Sequence, residues 1–270
     1  MILQRTLARA HRVAGIGLRT GLPTSVVLSP APADSGRRFL VGGVVVPADV
    51  DHVVDATLAT TLGVGEVRVA LVEHLLAATV GAGIDNIDVI VEGDELPILD
   101  GAALGWIGAL AQAGVRTLPV PARTWTVDRP VRVEQGGSWA ELHPCRALEV
   151  DVRVDFPHPS IGAQRWSGIV DGSFASELGW ARTFGFRRDA ERLLALGIAR
   201  GASLENTVVY DESGPMNQGG IRASDEVARH KALDAVGDLA LVPGRPLVKL
   251  VAHRGGHALH HALLRAVRSL

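Results

Sequence analysis

The sequence predicts a layered α+β fold, and three observations support this prediction. Strand-like and helical segments follow one another without regular alternation, which disfavours a doubly wound parallel sheet. Of the 270 residues, 47% are hydrophobic and 21% are charged, a composition that suits a globular protein with a sizeable core. A helical histidine also precedes a glycine by seven residues twice, at His74 and Gly81 and at His230 and Gly237. Each of these helices comes before an apolar strand, so we expect two similar α+β halves.

The first half contains β-branched runs typical of strands and apolar residues at helical spacing. Strands are expected at 25–29, 38–41, 43–46 and 87–91. Helices are expected at 70–80, where Gly81 and Gly83 are stop signals, and at 100–114. The proline-containing segment 117–122 is the predicted linker, and it divides the chain into domains at 1–119 and 123–270.

The second half repeats this style of sequence. Strands are expected at 125–127, 131–133, 148–154, 161–167, 208–211 and 247–252. Helices are expected at 173–180, 188–196, 224–237 and 257–267.

Charge and cysteine content exclude several classes of protein. A net charge of −2 indicates no general affinity for nucleic acid or an anionic membrane. The single cysteine, Cys145, excludes an intramolecular disulfide and fits a reducing cytosol. Residues 1–11 lack the apolar core of a signal peptide, and no run is long enough to cross a membrane. We therefore expect a cytoplasmic protein whose membrane contact, where it occurs, is peripheral.

Three residues form the strongest candidate metal site. His230 and Asp234 are four residues apart, so a helix projects both side chains from one face. With His74 they form a set of two histidines and one carboxylate, which leaves a fourth zinc position open, as a catalytic site requires. Iron(II) also suits such ligands. Glu73, next to His74, is a candidate base for the attacking water.

Each part of this pattern has another interpretation. A histidine and an aspartate four residues apart also form ordinary contacts on a helix surface. Some CoA-dependent acyltransferases use His-x3-Asp-Gly, although Ala235 follows the aspartate here. The Glu73–His74 pair lacks the second histidine of a metalloprotease motif, but its helix is otherwise apolar. Charged groups there are costly unless they are engaged, which favours a functional site.

The segment Gly255-Gly256-His257 is a further candidate. Two glycines allow a close approach of the backbone, and the histidine then begins a helix, although a simple turn explains the pattern as well. Asp238 lies four residues after Asp234, on the same helix face if the helix continues through Gly237. A carboxylate there could orient an imidazole and favour its protonated form.

Taken in order, motifs along nearly the whole chain resemble the UDP-3-O-acyl-N-acetylglucosamine deacetylases, which are zinc amidases of lipid A synthesis. These motifs lie at 4–7, 15–21, 28–33, 72–75, 83–87, 97–102, 155–159, 181–186, 201–206, 225–231 and 256–259. The resemblance implies two α+β halves packed helix layer against helix layer, a β-α-α-β sandwich with the active site between the halves. It also implies a small insert near 183–206 that forms a passage for the acyl chain. The candidate lining residues are Phe184, Phe186, Leu193, Leu194 and Leu196.

The same resemblance implies roles for the residues of the metal site. His74, His230 and Asp234 are expected to bind zinc, and Glu73 is expected to be the general base. The implied reaction removes the N-acetyl group from UDP-3-O-acyl-N-acetylglucosamine. It gives UDP-3-O-acyl-glucosamine and acetate.

Further roles follow from the resemblance. Thr183 is expected to help hold the oxyanion, and His257, as imidazolium, to stabilise the oxyanion and protonate the leaving amine. Asp238 is expected to keep His257 protonated. These roles suit amide hydrolysis, in which the carbonyl oxygen gains negative charge and the amine needs an acid near neutral pKa.

Four residues are implied as substrate contacts. Lys231 is expected to meet the phosphate-bearing side of the substrate, Phe156 to stack on the substrate, and Phe184 to line the passage for its acyl chain. The fourth is Arg19, where the family usually has histidine in a Gly-Leu-His-Thr-Gly segment. Arginine retains a positive charge but cannot act as a neutral imidazole.

Other departures from the family pattern lie near the second histidine-bearing helix. Ala223, Val227 and Ala228 replace larger family residues there, and His253–Arg254 replaces a Tyr-Lys pair. Arg19 and the changes at Ala223, Val227 and Ala228 motivate a second hypothesis, that the substrate is another N-acylated nucleotide sugar. A third hypothesis is a non-catalytic binding protein that zinc stabilises.

Overall fold

The computed structural model describes residues 2–269, and these residues form a mixed α+β fold. The first half contains the strands β1 (Leu3–Leu7), β2 (His11–Ile16), β3 (Pro23–Pro30), β4 (Arg37–Val41), β5 (Val44–Pro47), β6 (Val53–Asp55), β7 (Thr61–Val64), β8 (Val67–Ala70), β9 (Ile87–Glu92) and β10 (Val115–Pro121), and the helices α1 (Glu73–Gly81) and α2 (Leu104–Ala113). The second half contains the strands β11 (Thr124–Trp125), β12 (Val131–Gln135), β13 (Ser138–Pro144), β14 (Glu149–Phe156), β15 (Gly162–Ile169), β16 (Phe184–Phe186), β17 (Val208–Asp211), β18 (Gly214–Pro215), β19 (Arg245–Pro246) and β20 (Val248–His253), and the helices α3 (Phe174–Glu177), α4 (Arg187–Ala195), α5 (Glu226–Leu239) and α6 (His257–Arg268). The predicted α+β class is confirmed.

The two halves contain five-stranded sheets of the same topology. Their strand orders are β2-β3-β9-β4-β5 and β12-β13-β20-β14-β15. In each sheet one internal pair is parallel, β4 with β9 and β14 with β20, and the other pairs are antiparallel. Helices α1 and α5 precede the equivalent strands β9 and β20, and α2 and α6 follow them. The weak sequence repeat at His74 and His230 therefore falls on equivalent helices.

Each half also has an additional small sheet at the same point of the repeat. The sheet β6-β7-β8 lies between β5 and α1, and the sheet β16-β17-β18 lies between β15 and α5. Both segments lead into the helix that bears a predicted metal ligand. The first segment brings Thr60, just before β7, to Glu73 of α1, and the second brings Ala181 to His230 of α5.

Helices α1 and α5 approach each other very closely. Residues 73–79 of α1 are buried, and all residues of α5 except Arg229 and Lys231 are buried. Helices with so little exposed surface need neighbours on every side. At Gly237 a methyl group would lie 2.2 Å from the backbone oxygen of Glu73, so only glycine permits this approach.

Replacing Gly237 by alanine is expected to lower the free energy of unfolding by about 1–3 kcal/mol or more, because α1 and α5 must separate. The matched control is Gly108→Ala in α2, where an added methyl group meets no atom within 4 Å. There we expect a gain of about 0.5–1 kcal/mol, because alanine favours helix. Urea unfolding of the two variants tests the prediction. Equal effects would contradict the close approach.

Three element predictions need correction. The segment 117–122 is not an irregular linker, because it forms β10 and pairs with β1. The helix predicted from residue 70 begins at Glu73, since β8 extends to Ala70 and Leu71 has a positive φ of 62°. The helix predicted at 173–180 is only α3, because the Gly179 N–H returns to the Phe174 oxygen and the chain turns.

No helix of residues 2–269 is long and apolar enough to cross a membrane.

Candidate metal centre and active site

The contact of α1 with α5 brings the three predicted ligands together. Nε2 of His74 lies 3.5 Å from Oδ1 of Asp234, and Nε2 of His230 lies 3.4 Å from the same oxygen. All three side chains are buried, and one ligand atom of each lies within 4.8 Å of the others. The histidine rings meet edge to face, with centroids 5.1 Å apart.

These separations fit a tetrahedral metal site. Ligand atoms about 2.0–2.1 Å from a common tetrahedral centre lie about 3.4 Å apart, which agrees with both distances to Asp234. Burial also lowers the pKa of His230 to about 4, so its imidazole is neutral and able to bind metal. The donor set therefore fits a divalent metal of the zinc type.

A backbone carbonyl orients the ring of His230. Nδ1 donates to the Ala181 oxygen at 3.1 Å, which leaves Nε2 to face the site. This carbonyl is held by a buried ion pair, since Nε of Arg182 donates to Glu226 at 2.9 Å. Glu226 is the first residue of α5, so the pair fixes residues 181–183 against the start of α5.

Lys231 lies beside the predicted ligand Asp234 and supports its charge. Nζ donates to Oδ2 of Asp234 at 2.8 Å, while Oδ1 faces the two histidines. Burial alone would raise the pKa of Asp234, but His230 and Lys231 hold it well below its usual value. The aspartate is therefore ionised. Its Oδ2 accepts a hydrogen bond from Lys231, and its Oδ1 faces the position predicted for the metal.

Glu73 is buried next to the metal position. Its Oε2 accepts from the backbone N–H of Thr60 at 3.1 Å, and its Oε1 lies 4.0 Å from Nε2 of His257. Burial raises the pKa of this carboxyl above its usual value, although His257 and His74 oppose the shift. A carboxylate of raised basicity beside a metal is suited to accept a proton from water.

His257, the first residue of α6, faces the predicted ligands from the other side. Its Nε2 lies 3.9 Å from Oδ2 of Asp234, and its Nδ1 donates to Asp238 at 2.9 Å. Burial alone would lower the pKa of His257, but the charge and hydrogen bond of Asp238 raise it to about 9. The imidazole is therefore protonated near neutral pH.

Asp238 is the centre of a buried cluster larger than the predicted pair with His257. It accepts hydrogen bonds from Nδ1 of His260 at 2.8 Å and Nε2 of His261 at 3.1 Å, in addition to His257. The Thr60 hydroxyl donates to it at 2.9 Å. Burial alone would raise the pKa of Asp238, but these partners, His257 first, hold it well below its usual value.

Thr60, His260 and His261 were missed as site residues. The two histidines follow His257 by three and four residues, so helical spacing could have placed all three on one face. Thr60 had no sequence signal, since it joins Glu73 to Asp238 from a separate loop.

The remaining candidate residues lie in two places. The Phe184 ring is 6.2 Å from His230 and 5.4 Å from Phe156, so these aromatics border the metal position. Thr183 directly precedes Phe184, and its hydroxyl makes no hydrogen bond within residues 2–269. Arg19 lies in a turn where its backbone N–H donates to Glu95 and its oxygen accepts from Arg200.

Removal of one ligand is expected to abolish stable metal binding. We expect His74→Ala and Asp234→Ala each to weaken the affinity for zinc by more than about 100-fold, because changes in outer-shell partners alone cost up to about that much. The matched control is His143→Ala, a partly exposed histidine outside the site. Metal content after dialysis measures the effect. Stoichiometric metal in Asp234→Ala would contradict the ligand assignment.

Comparison with known proteins identifies the family. The family model described as UDP-3-O-acyl N-acetylglycosamine deacetylase matches residues 4–269. The chain belongs to this family. The resemblance found in the sequence is thus confirmed over nearly the whole chain.

Curated members of the deacetylase family are similar throughout. A protein of Anaeromyxobacter dehalogenans (strain 2CP-C) is 46% identical over 268 residues, which cover 98% of this chain and 87% of the relative. A protein of Myxococcus xanthus (strain DK1622) is 44% identical in an alignment that covers 98% of this chain and 86% of the relative. A protein of Shewanella baltica (strain OS155 / ATCC BAA-1091) is 40% identical in an alignment that covers 99% of this chain and 90% of the relative. All three are named UDP-3-O-acyl-N-acetylglucosamine deacetylase.

Proposed function

We propose that this chain is a zinc-dependent hydrolase that removes the N-acetyl group from UDP-3-O-acyl-N-acetylglucosamine, early in lipid A synthesis. The observation that carries the proposal is the buried set of two histidines and one aspartate with Glu73 and His257 beside it. Family membership supports the substrate. It also favours hydrolysis over the acyl transfer that the histidine–aspartate spacing alone allowed.

His74, His230 and Asp234 would hold the zinc ion. Bound there, zinc supplies Lewis-acid chemistry that offsets negative charge on the reacting carbonyl oxygen. Glu73 accepts one proton from the attacking water as the new C–O bond forms. Its burial keeps bulk water from competing for that proton.

His257 completes the reaction from the opposite side. As imidazolium it stabilises the oxyanion and then donates its Nε2 proton to the amine nitrogen as the C–N bond breaks. Asp238 holds Nδ1 and so directs Nε2 towards the ligands. Thr183, whose hydroxyl has no partner among the described residues, donates to the oxyanion. The products are acetate and the free amine of the sugar.

The substrate contacts complete the proposal. Lys231 uses the ammonium protons not directed to Asp234 to meet the phosphate-bearing side. Phe156 and Phe184 form an apolar wall beside His230. The acyl chain then follows α4 of the insert, where Leu194 is 50% exposed, and Leu196 directly after the helix, which is 63% exposed. Exposed leucines on and beside a largely charged helix suit a surface that an apolar ligand covers.

We also propose that the halves form the helix-to-helix sandwich, with domains near 1–119 and 123–270. The matching sheet topologies and the contact of Gly237 with the Glu73 backbone support this arrangement. A nucleotide-sugar substrate favours a cytoplasmic site of action.

Arg19 motivates an alternative substrate, another N-acylated nucleotide sugar. Its side chain makes no hydrogen bond within residues 2–269, so its charge is free to contact a ligand. Product analysis by mass spectrometry separates the two substrates. We expect deacetylation of UDP-3-O-acyl-N-acetylglucosamine and little of UDP-N-acetylglucosamine, which lacks the acyl chain. Equal rates would favour the alternative.

Reconstitution of metal-free protein tests the identity of the metal and the third hypothesis. Zinc and iron(II) are added separately, and both acetate release and the melting temperature are measured. We expect the metal-free protein to remain folded and inactive, because the core extends through both halves. A chain that unfolds without zinc and never releases acetate would support a zinc-stabilised binding protein instead.

A further inference from the structure

A cavity lies away from the proposed metal centre, at the other end of α1. It has a volume of about 370 Å³, which is within the range of small-molecule sites. Val80–Gly83 line it from the first half, and residues 169–172 and 245–247 line it from the second. No proposed metal ligand or catalytic residue borders it. The axial rise of α1 separates it from Glu73 by roughly 12 Å.

Positive charge dominates the lining of this cavity. Arg5, Arg37 and Arg245 border it, against the single carboxylate of Asp171. Asp171 is exposed and accepts hydrogen bonds from Ser173, so it does not pair with these arginines.

Two of the arginines already have structural partners. Arg245 donates to both oxygens of Asp85, at 2.8 and 2.7 Å, and to the Gly83 oxygen at 3.3 Å. Arg5 donates to the Ala82 oxygen at 3.3 Å. Cations at the carboxyl end of a helix stabilise its unpaired carbonyls. The positions of Arg5 and Arg245 are therefore explained by their contacts at the end of α1.

Arg37 has no comparable explanation. It is only 8% exposed, and its Nε donates to the Thr79 hydroxyl at 2.8 Å. Its two terminal nitrogens donate to no other residue in 2–269, while Asp85 is occupied by Arg245. Burial lowers the pKa of Arg37 to about 10, and Asp85 only partly opposes this shift. A buried guanidinium without a full partner is costly unless an anion joins it.

We propose that this cavity binds a small oxyanion, a phosphate or carboxylate joined to an apolar group, with Arg37 as its main contact. The planar guanidinium presents paired N–H groups that match either oxyanion. Leu148, Val170 and Leu247 form an apolar wall for the remainder of the ligand. Since both halves line the cavity, the ligand joins them at a distance from the catalytic residues. The site is independent of the proposed deacetylation.

Calorimetric titration of the zinc-loaded full chain tests the proposal at constant ionic strength. The probes are phenyl phosphate, benzoate and inorganic phosphate, so that the oxyanion and the apolar group are separated. We expect phenyl phosphate or benzoate to bind at one site more tightly than inorganic phosphate. Arg37→Gln should weaken that binding about tenfold or more.

Three further variants make the result specific. Arg38→Gln is the matched control, because Arg38 is the next residue of β4, pairs with Asp88 and does not line the cavity. Lys231→Met removes a cation of the metal centre and should leave binding unchanged. Ile169→Glu places a carboxylate at a 51% exposed lining position and should weaken binding without affecting folding.

Three outcomes would overturn the proposal. These are no binding of any probe at millimolar concentration, equal affinity in wild type and both cavity variants, and loss of binding in Lys231→Met alone.

Discussion

Glu73→Gln is expected to lower kcat by about 10³-fold, within the range of about 10²–10⁴ that positioned acid–base groups contribute. Glutamine keeps the size of the side chain but cannot accept the proton of the attacking water. Bound metal should not change, because the predicted ligand set of His74, His230 and Asp234 does not include Glu73. The measurement is kcat for acetate release, together with metal content for the same preparation.

Two controls separate loss of the base from loss of structure. Glu73→Gln should retain a wild-type melting temperature or exceed it, since burial raises the pKa of this carboxyl and its charge is costly. Glu66→Gln, at an exposed position, should retain full kcat. A Glu73→Gln enzyme with full kcat would show that another group is the base.

Asp238→Asn is expected to lower kcat by about 10²–10⁴-fold and to change its pH dependence. In the wild type the base must be unprotonated, so activity rises with pH through the raised pKa of Glu73. The acid must be protonated, so activity falls as pH passes the pKa of His257, about 9. Without the Asp238 charge, burial lowers the pKa of His257, and the alkaline limb moves to lower pH.

The pH profile of kcat for wild type and Asp238→Asn measures this shift. The exposed Asp128→Asn variant is the control and should keep the wild-type limbs. An alkaline limb at the same pH in Asp238→Asn would contradict the assignment of His257 as the acid. A change in KM alone would instead indicate a role in substrate binding.

The sequence was most informative where the chemistry lies on one helix. His230 and Asp234 could be paired from their spacing, and Asp238 from continuation of α5, because helical geometry fixes which residues share a face. The partners of these residues come from distant segments. Thr60 joins Glu73 and Asp238 from a position 178 residues before the aspartate, and local periodicity contains no information about such a contact.

The other features that the sequence did not predict also have physical causes. Pro119 and Pro121 made the segment 117–122 resemble a linker, but β10 belongs to a two-stranded sheet, where prolines are tolerated at edges. Repeat pairs such as β4 and β14 share no obvious sequence pattern, so only the topology reveals them. The arginine-lined cavity combines side chains from β1, β4 and β19, which are far apart in the chain.

The central claim is that the two-histidine, one-aspartate site and Glu73 hydrolyse the acetamide of UDP-3-O-acyl-N-acetylglucosamine. Its most direct test is acetate release from UDP-3-O-(3-hydroxyacyl)-N-acetylglucosamine by purified protein with one equivalent of zinc. We predict turnover that a chelator abolishes and added zinc restores. Absence of acetate release from a folded, zinc-loaded chain would contradict the claim.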